Sequence, residues 1–184
     1  MTSLHSLKQL LRQTPEYQAV LRRAVAARPD GAAPISLGAI EAARAVVAAA
    51  LTEDLSGNGL LLANSDERAR QFLEELAFWF EGELLLFPAP EALPLERIPW
   101  SQETIRERVR VLASLVRQPS QRRIVVASVQ SLLTPLPAPE QLRGRLLMVR
   151  PGYQIALSDL TRYLVDNGYQ QATVVEVPGT FSRR

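Results

Sequence analysis

Apolar residues along this chain either recur three and four apart or run together in short blocks, and the two patterns alternate. Tyr17, Val20, Leu21, Ala24 and Val25 fall at helical spacing. Thr14 stands where a helix cap belongs, Pro15 suits a first turn, and Gly31 marks an end. The start of the preceding MTSLHSLKQLLRQ looks disordered. In ISLGAIEAARAVVAAAL, the run from Ile35 predicts a brief strand, Gly38 a loop, and Ile40 to Leu51 a helix. After the turn LSGNG, GLLLAN reads as a buried strand. Asn64 with Glu67 is placed to cap the next helix, whose stripe is Ala69, Phe72, Leu73, Leu76, Ala77 and Phe80. GELLLF is another buried strand. A proline-rich loop, PAPEALPLERIP, leads to a helix from about Ser101 to Val116, with Ile105, Val109, Leu112 and Val116 on one side. RRIVVAS is a third strand. A helical turn at VQSLL and a second proline-rich loop, TPLPAPEQL, follow it.

This alternation predicts an α/β fold, a mostly parallel, doubly wound sheet with helices on both faces. It occupies residues 33–144, after a helical segment at 1–32. The pattern then changes. RLLMVRPGY reads as strand and turn, SDLTRYLVDNGY as a short amphipathic helix capped by Ser158 and stopped by Gly168, and ATVVEVPGTFSRR as a further strand. Residues 145–184 therefore look like the start of a small α+β domain. About 40 residues are too few to bury a core unaided.

Composition narrows the chemistry. The chain has 184 residues, 47% apolar and 22% charged, as in ordinary soluble domains. It shows no run of 18 apolar residues and no apolar leader with a cleavage site, so the expected location is the cytoplasm, with no membrane partner. The absence of cysteine excludes thiol catalysis and thiolate metal sites. The single histidine, His5, makes a Ser-His-Asp triad untenable. A formal charge of +2 is too small to argue nucleic-acid binding by itself.

The strand-loop-helix at Ile35 to Leu51 invites a test as a phosphate loop, G-x-x-x-x-G-K-[ST]. There, backbone N–H groups cradle phosphates, the lysine reaches the outer ones, and the hydroxyl holds magnesium. Aligned on Gly38, the second glycine falls on Ala43, the lysine on Arg44 and the hydroxyl on Ala45. Only the first position is kept, and Arg44 preserves charge alone. The segment reads as a vestigial loop in a degenerate RecA-like or P-loop-like fold. The alternative is a divergent nucleotide site. No catalytic residue, cofactor ligand or metal ligand emerges. SDER at Ser65 to Arg68 reads as a capped first turn whose acids meet the positive helix end. Glu74, Glu75, Glu81 and Glu83 read as solvated. Arg106, Arg108 and Arg110 read as a solvated face, with Glu103 and Glu107 three residues ahead of Arg106 and Arg110 as ion-pair partners. From Gln141 onward, six arginines outnumber three acidic residues, a mild basic bias.

Three segments together resemble the N-terminal region of bacterial transcription-repair coupling factors. In LFPAPEALPLERIPWSQETIRERVRVLASL, an acidic residue, Leu-Pro, a short loop and a Gln or Glu precede an arginine-rich helix. Those positions are Glu91, Leu93, Pro94, Gln102, Arg108, Val109 and Leu112. RRIVVASVQSLLTPLPAPEQL is similar to the family's next strand and proline-containing loop. LSDLTRYLVDNGYQQATVVEVPGTFSRR carries the Gly168-Tyr169 pair and the turn from Glu176 to Gly179. The match runs from roughly Gly38 to Arg184. The family region is itself similar to the excinuclease protein UvrB, and the resemblance implies a scaffold that has lost the ATPase signature. It implies recruitment of the excinuclease protein UvrA to RNA polymerase stalled at DNA damage. The resemblance implies that partner contact falls on Arg184, with Arg183 and Phe181 beside it. It also implies that ATP and magnesium, RNA polymerase and double-stranded DNA engage other modules of a longer protein, so that the chain is a fragment. The competing classes are a divergent ATP-dependent helicase half and a DNA-binding module.

Overall fold

The computed structural model describes residues 2–26, 34–55, 57–91, 99–117 and 122–183. The chain divides into two compact units, Met1–Pro135 and Leu136–Arg184.

The first unit is built on three parallel strands, β1 (Gly59–Ala63), β2 (Glu83–Phe87) and β3 (Arg123–Ser128), in the order β1-β3-β2. Leu61 pairs with Val126, and Val126 with Leu86, so side chains at these positions share one face. All six residues of β3 are buried, which is what a central strand covered on both faces requires. On one face, α3 (Glu41–Asp54) and α4 (Asp66–Ala77) lay Ala45, Ala49, Ala69 and Leu76 against Ile124 and Val126, with Phe80 completing the layer. Alanine suits α3 here, because a short side chain lets the helix axis approach the sheet. On the other face, α5 (Gln102–Val116) presses Val111 on Leu85, Phe87, Val125 and Ala127. Each fully buried aliphatic side chain contributes roughly 1.5–3 kcal/mol. Helices thus cover both faces of a parallel sheet, as the alternating pattern predicts. Cover is incomplete over β1, where Leu60 and Leu62 on the α5 side are 57% and 55% exposed.

Helix starts follow local chemistry. Ser65 Oγ accepts the Arg68 N–H at 3.2 Å and Ser101 Oγ accepts the Thr104 N–H at 3.1 Å, each satisfying an amide the helix leaves free. Asp66 and Glu67 occupy the first turn of α4. The cap of α4 is therefore Ser65 rather than Asn64. Gly82 is required by space, since a Cβ there would sit 2.3 Å from the Arg122 carbonyl oxygen and 2.4 Å from Phe80 Cε1.

Two further expectations for this unit are corrected. The N-terminal residues are helical, forming α1 (Thr2–Gln13) ahead of α2 (Pro15–Ala26). A charge network against α3 supplies the order that apolar spacing does not show. Ile35–Leu37 forms no strand, because among the described residues no strand pairs with it. The predicted helix end at Gly31 lies outside the described residues. A four-residue helix, α6 (Val129–Leu132), follows β3 directly.

The second unit holds α7 (Pro139–Arg145), α8 (Leu157–Asp166) and a two-residue parallel ladder of β4 (Gln170–Gln171) with β5 (Thr180–Phe181). Pro139 opens α7 at a position that needs no N–H, so the second proline-rich loop is partly helical. The expected strand at Leu146 to Arg150 is absent, and the strand after Ala172 shrinks to β5. The cap of α8 falls at Ala156, not Ser158, and makes no side-chain bond. Gly168 follows α8 with φ +83, the left-handed stop that glycine adopts without strain. No described residue of this unit is buried.

Candidate functional site

The vestigial loop can be judged side chain by side chain. A Cβ on Gly38 would meet nothing within 4 Å, so no close approach demands glycine there. The next helix begins at Glu41, and its cap Ile40 makes no side-chain bond. Ala45, at the hydroxyl position, is 1% exposed and part of the core against Ile124 and Val126. A serine there would face apolar atoms, not magnesium. Arg44 is exposed and lines a cavity of about 600 Å³ with Glu41, Asn64, Arg68, Gln71 and Phe72. It also lines a second, more apolar cavity of about 630 Å³ that holds Gly38, Val47, Leu51 and Leu61.

Arg68, at the first cavity, is already paired. Arg68 Nη2 lies 3.0 Å from Glu41 Oε1 and Nη1 lies 3.0 Å from Glu75 Oε1. Glu41 therefore places a carboxylate in the first turn of α3, where an incoming phosphate would need positive potential. Among the described residues, no group of three or more His, Cys, Asp or Glu side chains is placed to hold a metal ion.

The carboxyl ends of the strands are instead tied to one another. Asp66, at the start of α4, accepts from Ser128 Oγ at 2.5 Å and from the Ala89 N–H at 3.0 and 3.2 Å. This one carboxylate joins the segments that leave all three strands. Its role as a first-turn acid is legible in the sequence, but its bridge to β2 and β3 is not. Arg108 departs from the solvated face expected of it. It is 4% exposed, lies 4.1 Å from the Phe87 ring centroid and 5.2 Å from that of Trp100, and donates from Nη1 to the carbonyls of Pro88 at 2.7 Å and Ser131 at 3.1 Å. Burial lowers its pKa, while the charge of Asp66 acts against that shift. Arg106 and Arg110 do lie on the surface, 4.0 and 3.3 Å from Glu103 and Glu107 as the spacing predicts. Glu83, read as solvated, pairs with buried Arg123 at 3.2 Å.

The proline-rich loop that carries part of the family resemblance has a stitched base. Glu91 accepts from Ser101 Oγ, from Thr104 Oγ1 at 2.5 Å and from the Ser101 N–H at 3.3 Å. The Ser101 hydroxyl, then the Thr104 hydroxyl, hold its pKa down to about 2. Leu93 and Pro94 lie outside the described residues.

In the second unit, the connection from β4 to β5 is fixed by backbone bonds. Gln170 N–H donates to Gly179 O at 2.9 Å, and Ala172 N–H donates to Phe181 O at 2.8 Å. Thr180 Oγ1 donates to Val177 O at 2.7 Å, and Ser182 Oγ to Thr173 O at 2.9 Å. Gly179 takes φ +86. Between these ties Val174, Val175 and Val177 are 58%, 54% and 58% exposed. Phe181 is half-buried in β5 and Arg183 is exposed. Arg184 lies outside the described residues.

No protein-family model matches the chain. Among curated proteins, the transcription-repair-coupling factor of Bacillus subtilis (strain 168) is 28% identical over 143 residues, 77% of this chain and 12% of that protein. The transcription-repair-coupling factor of Mycobacterium bovis (strain ATCC BAA-935 / AF2122/97) is 28% identical over 188 aligned positions, covering 100% of this chain and 15% of that protein. That of Mycobacterium tuberculosis (strain CDC 1551 / Oshkosh) matches to the same extent. The chain spans 12% to 15% of the length of these relatives. The similarity bears out the resemblance to transcription-repair coupling factors drawn from the sequence.

Proposed function

We propose that this chain, similar to transcription-repair coupling factors and so placed with DNA-repair proteins, is a recruitment module rather than a catalyst. Its partner in this reading is the excinuclease protein UvrA, brought to RNA polymerase stalled at damaged DNA. The α/β unit, akin to UvrB, is the scaffold, and the stretch from Phe181 through Arg183 to Arg184 makes the contact. ATP, magnesium, double-stranded DNA and the polymerase belong to other modules of the longer protein, which works in the cytoplasm.

The observation that carries this reading is the state of the vestigial loop. Ala45 faces the core, and Glu41 and Arg68 are paired beside Arg44. A nucleotide arriving there would find no hydroxyl at position 45 for magnesium and one free-facing arginine, Arg44. The exposed valines beside Phe181 supply apolar contact area of the kind a protein partner covers.

The test is capture of purified UvrA by the chain, alongside Phe181→Ala, Arg183→Glu and Arg184→Glu variants. Capture by the wild-type chain that falls in the variants supports the reading. Absence of capture by the wild type overturns it, and equal capture by all three variants removes the assigned residues. The competing enzyme reading rests on Arg44 lining both cavities. Calorimetry with ATP at millimolar concentration decides it, since binding abolished by Arg44→Ala would restore a nucleotide site. DNA binding that weakens steeply with salt would favour the third reading.

A further inference from the structure

We propose that α1 and α2 form a strap latched by charge to the end of α3, and that this strap releases as a unit while the sheet stays folded. The latch is formed by two adjacent carboxylates at the last turn of α3. Glu53 Oε1 accepts from Lys8 Nζ at 2.6 Å, and Glu53 Oε2 lies 2.7 Å from Arg12 Nη2. Asp54 accepts from Arg12 Nε at 3.0 and 3.1 Å and from the Tyr17 hydroxyl at 2.6 Å. Lys8 also donates to Trp79 O at 2.8 Å. Arg122, ahead of β3, adds a positive charge that acts on Asp54. Three residues of the strap thus converge on two residues of α3.

Among the described residues, the apolar contribution is smaller: Leu11, Val20, Leu21 and Ala24 are only half-buried. The buried described residues of α1 and α2 are Lys8 and Tyr17. Neither apolar core cluster includes a residue of these helices. Leu7, Leu10 and Val25 are 50%, 59% and 69% exposed, so much of the strap's apolar surface faces away from the body. Within the strap, Gln18 Nε2 donates to Arg12 O at 2.7 Å and Thr14 Oγ1 to Leu11 O at 2.8 Å, which couple the two helices at their junction. An element outside the apolar core opens at lower free energy than the strands within it. Helices of 12 residues are marginal alone in water, so release costs them their amide protection. Removing one member of a partly buried charge cluster strands its partners, which is why the latch controls the opening.

Amide hydrogen exchange on the whole chain, read by mass spectrometry, tests this. Asp54→Asn and Glu53→Gln are expected to speed exchange in peptides covering 2–26 by about tenfold or more, with peptides covering 123–128 unchanged. Raising NaCl to ~1 M acts in the same direction, more weakly because the pairs are partly buried. Should Asp54→Asn fail to fold, Glu53→Gln and the salt series carry the test alone. Any result in which 2–26 does not accelerate ahead of 123–128 overturns the proposal. Joint acceleration makes the strap part of the core, and no change removes the latch.

Discussion

Ser128 Oγ donates to Asp66 Oδ1 at 2.5 Å, joining the end of the central strand to the first turn of a helix 62 positions earlier. The same carboxylate takes the Ala89 amide, so one side chain closes the exits of β1, β2 and β3. Ser128 is fully buried. Asp66→Ala would leave its hydroxyl and the Ala89 N–H without their acceptor. The expected loss is about 1–3 kcal/mol per stranded group. Urea unfolding should show a lower midpoint with an unchanged slope. A variant as stable as the parent would refute the bridge.

Arg108 supplies the second prediction. It is a buried cation held by two carbonyls and two aromatic rings, with no carboxylate among these partners. Arg108→Lys loses the flat guanidinium that stacks on Phe87, so it is not a conservative change. Arg108→Ala is expected to cost about 3 kcal/mol, combining the lost bonds with the space left behind. Thermal unfolding by calorimetry compares the two, and Arg108→Ala at parental stability would return this residue to the surface role its sequence suggested.

Most of the first unit is legible in the sequence, because buried parallel strands and amphipathic helices carry strong local periods. The three strands and α3, α4 and α5 follow from GLLLA, ELLLF, RIVVAS and the stripes between them. Two kinds of feature escape. One is order imposed from a distance. Lys8 and Arg12 look like ordinary polar-face residues, and Tyr17 like a member of an apolar stripe, until Glu53 and Asp54 stand opposite them. Asp66 looks like a helix-start acid until Ser128 arrives. The other is strand content that needs a neighbour. Ile35–Leu37 and Val174–Val177 have the composition of strands, yet neither pairs, since a strand's backbone bonds must be made by another segment. The departure from the phosphate-loop motif was readable because Ala45 has no hydroxyl and Ala43 carries a Cβ where the motif has glycine, whatever the fold.

Glu91 gives a prediction in pH. Hydrogen bonds from Ser101, then Thr104, hold its pKa at about 2 against an ordinary 4.5. The folded state thus favours the carboxylate. The stitch at the base of the proline-rich loop is complete above pH 4.5 and is lost as pH falls through about 2. Carboxyl chemical shifts in an NMR titration should place the Glu91 midpoint near 2, with the Ser101 amide losing protection in the same range. A midpoint near 4.5 would show that the stitch does not form in solution.

Two glycines give the last prediction. Gly38 draws attention as the first residue of a phosphate loop, while Gly82 carries no motif. Their surroundings reverse that ranking. A Cβ on Gly38 meets nothing within 4 Å, and one on Gly82 meets the Arg122 carbonyl at 2.3 Å, a rigid backbone atom of the segment entering β3. Moving that carbonyl would disturb the bond it accepts from the Glu83 N–H at 2.9 Å, which starts β2 against β3. Gly82→Ala is therefore expected to lose about 1–3 kcal/mol through overpacking, and Gly38→Ala to change stability by less than about 0.5 kcal/mol. Paired denaturation curves measure both. A large loss at Gly38 would mean that its backbone is held more tightly than the open space implies, and the case for a vestigial, ligand-free loop would weaken with it.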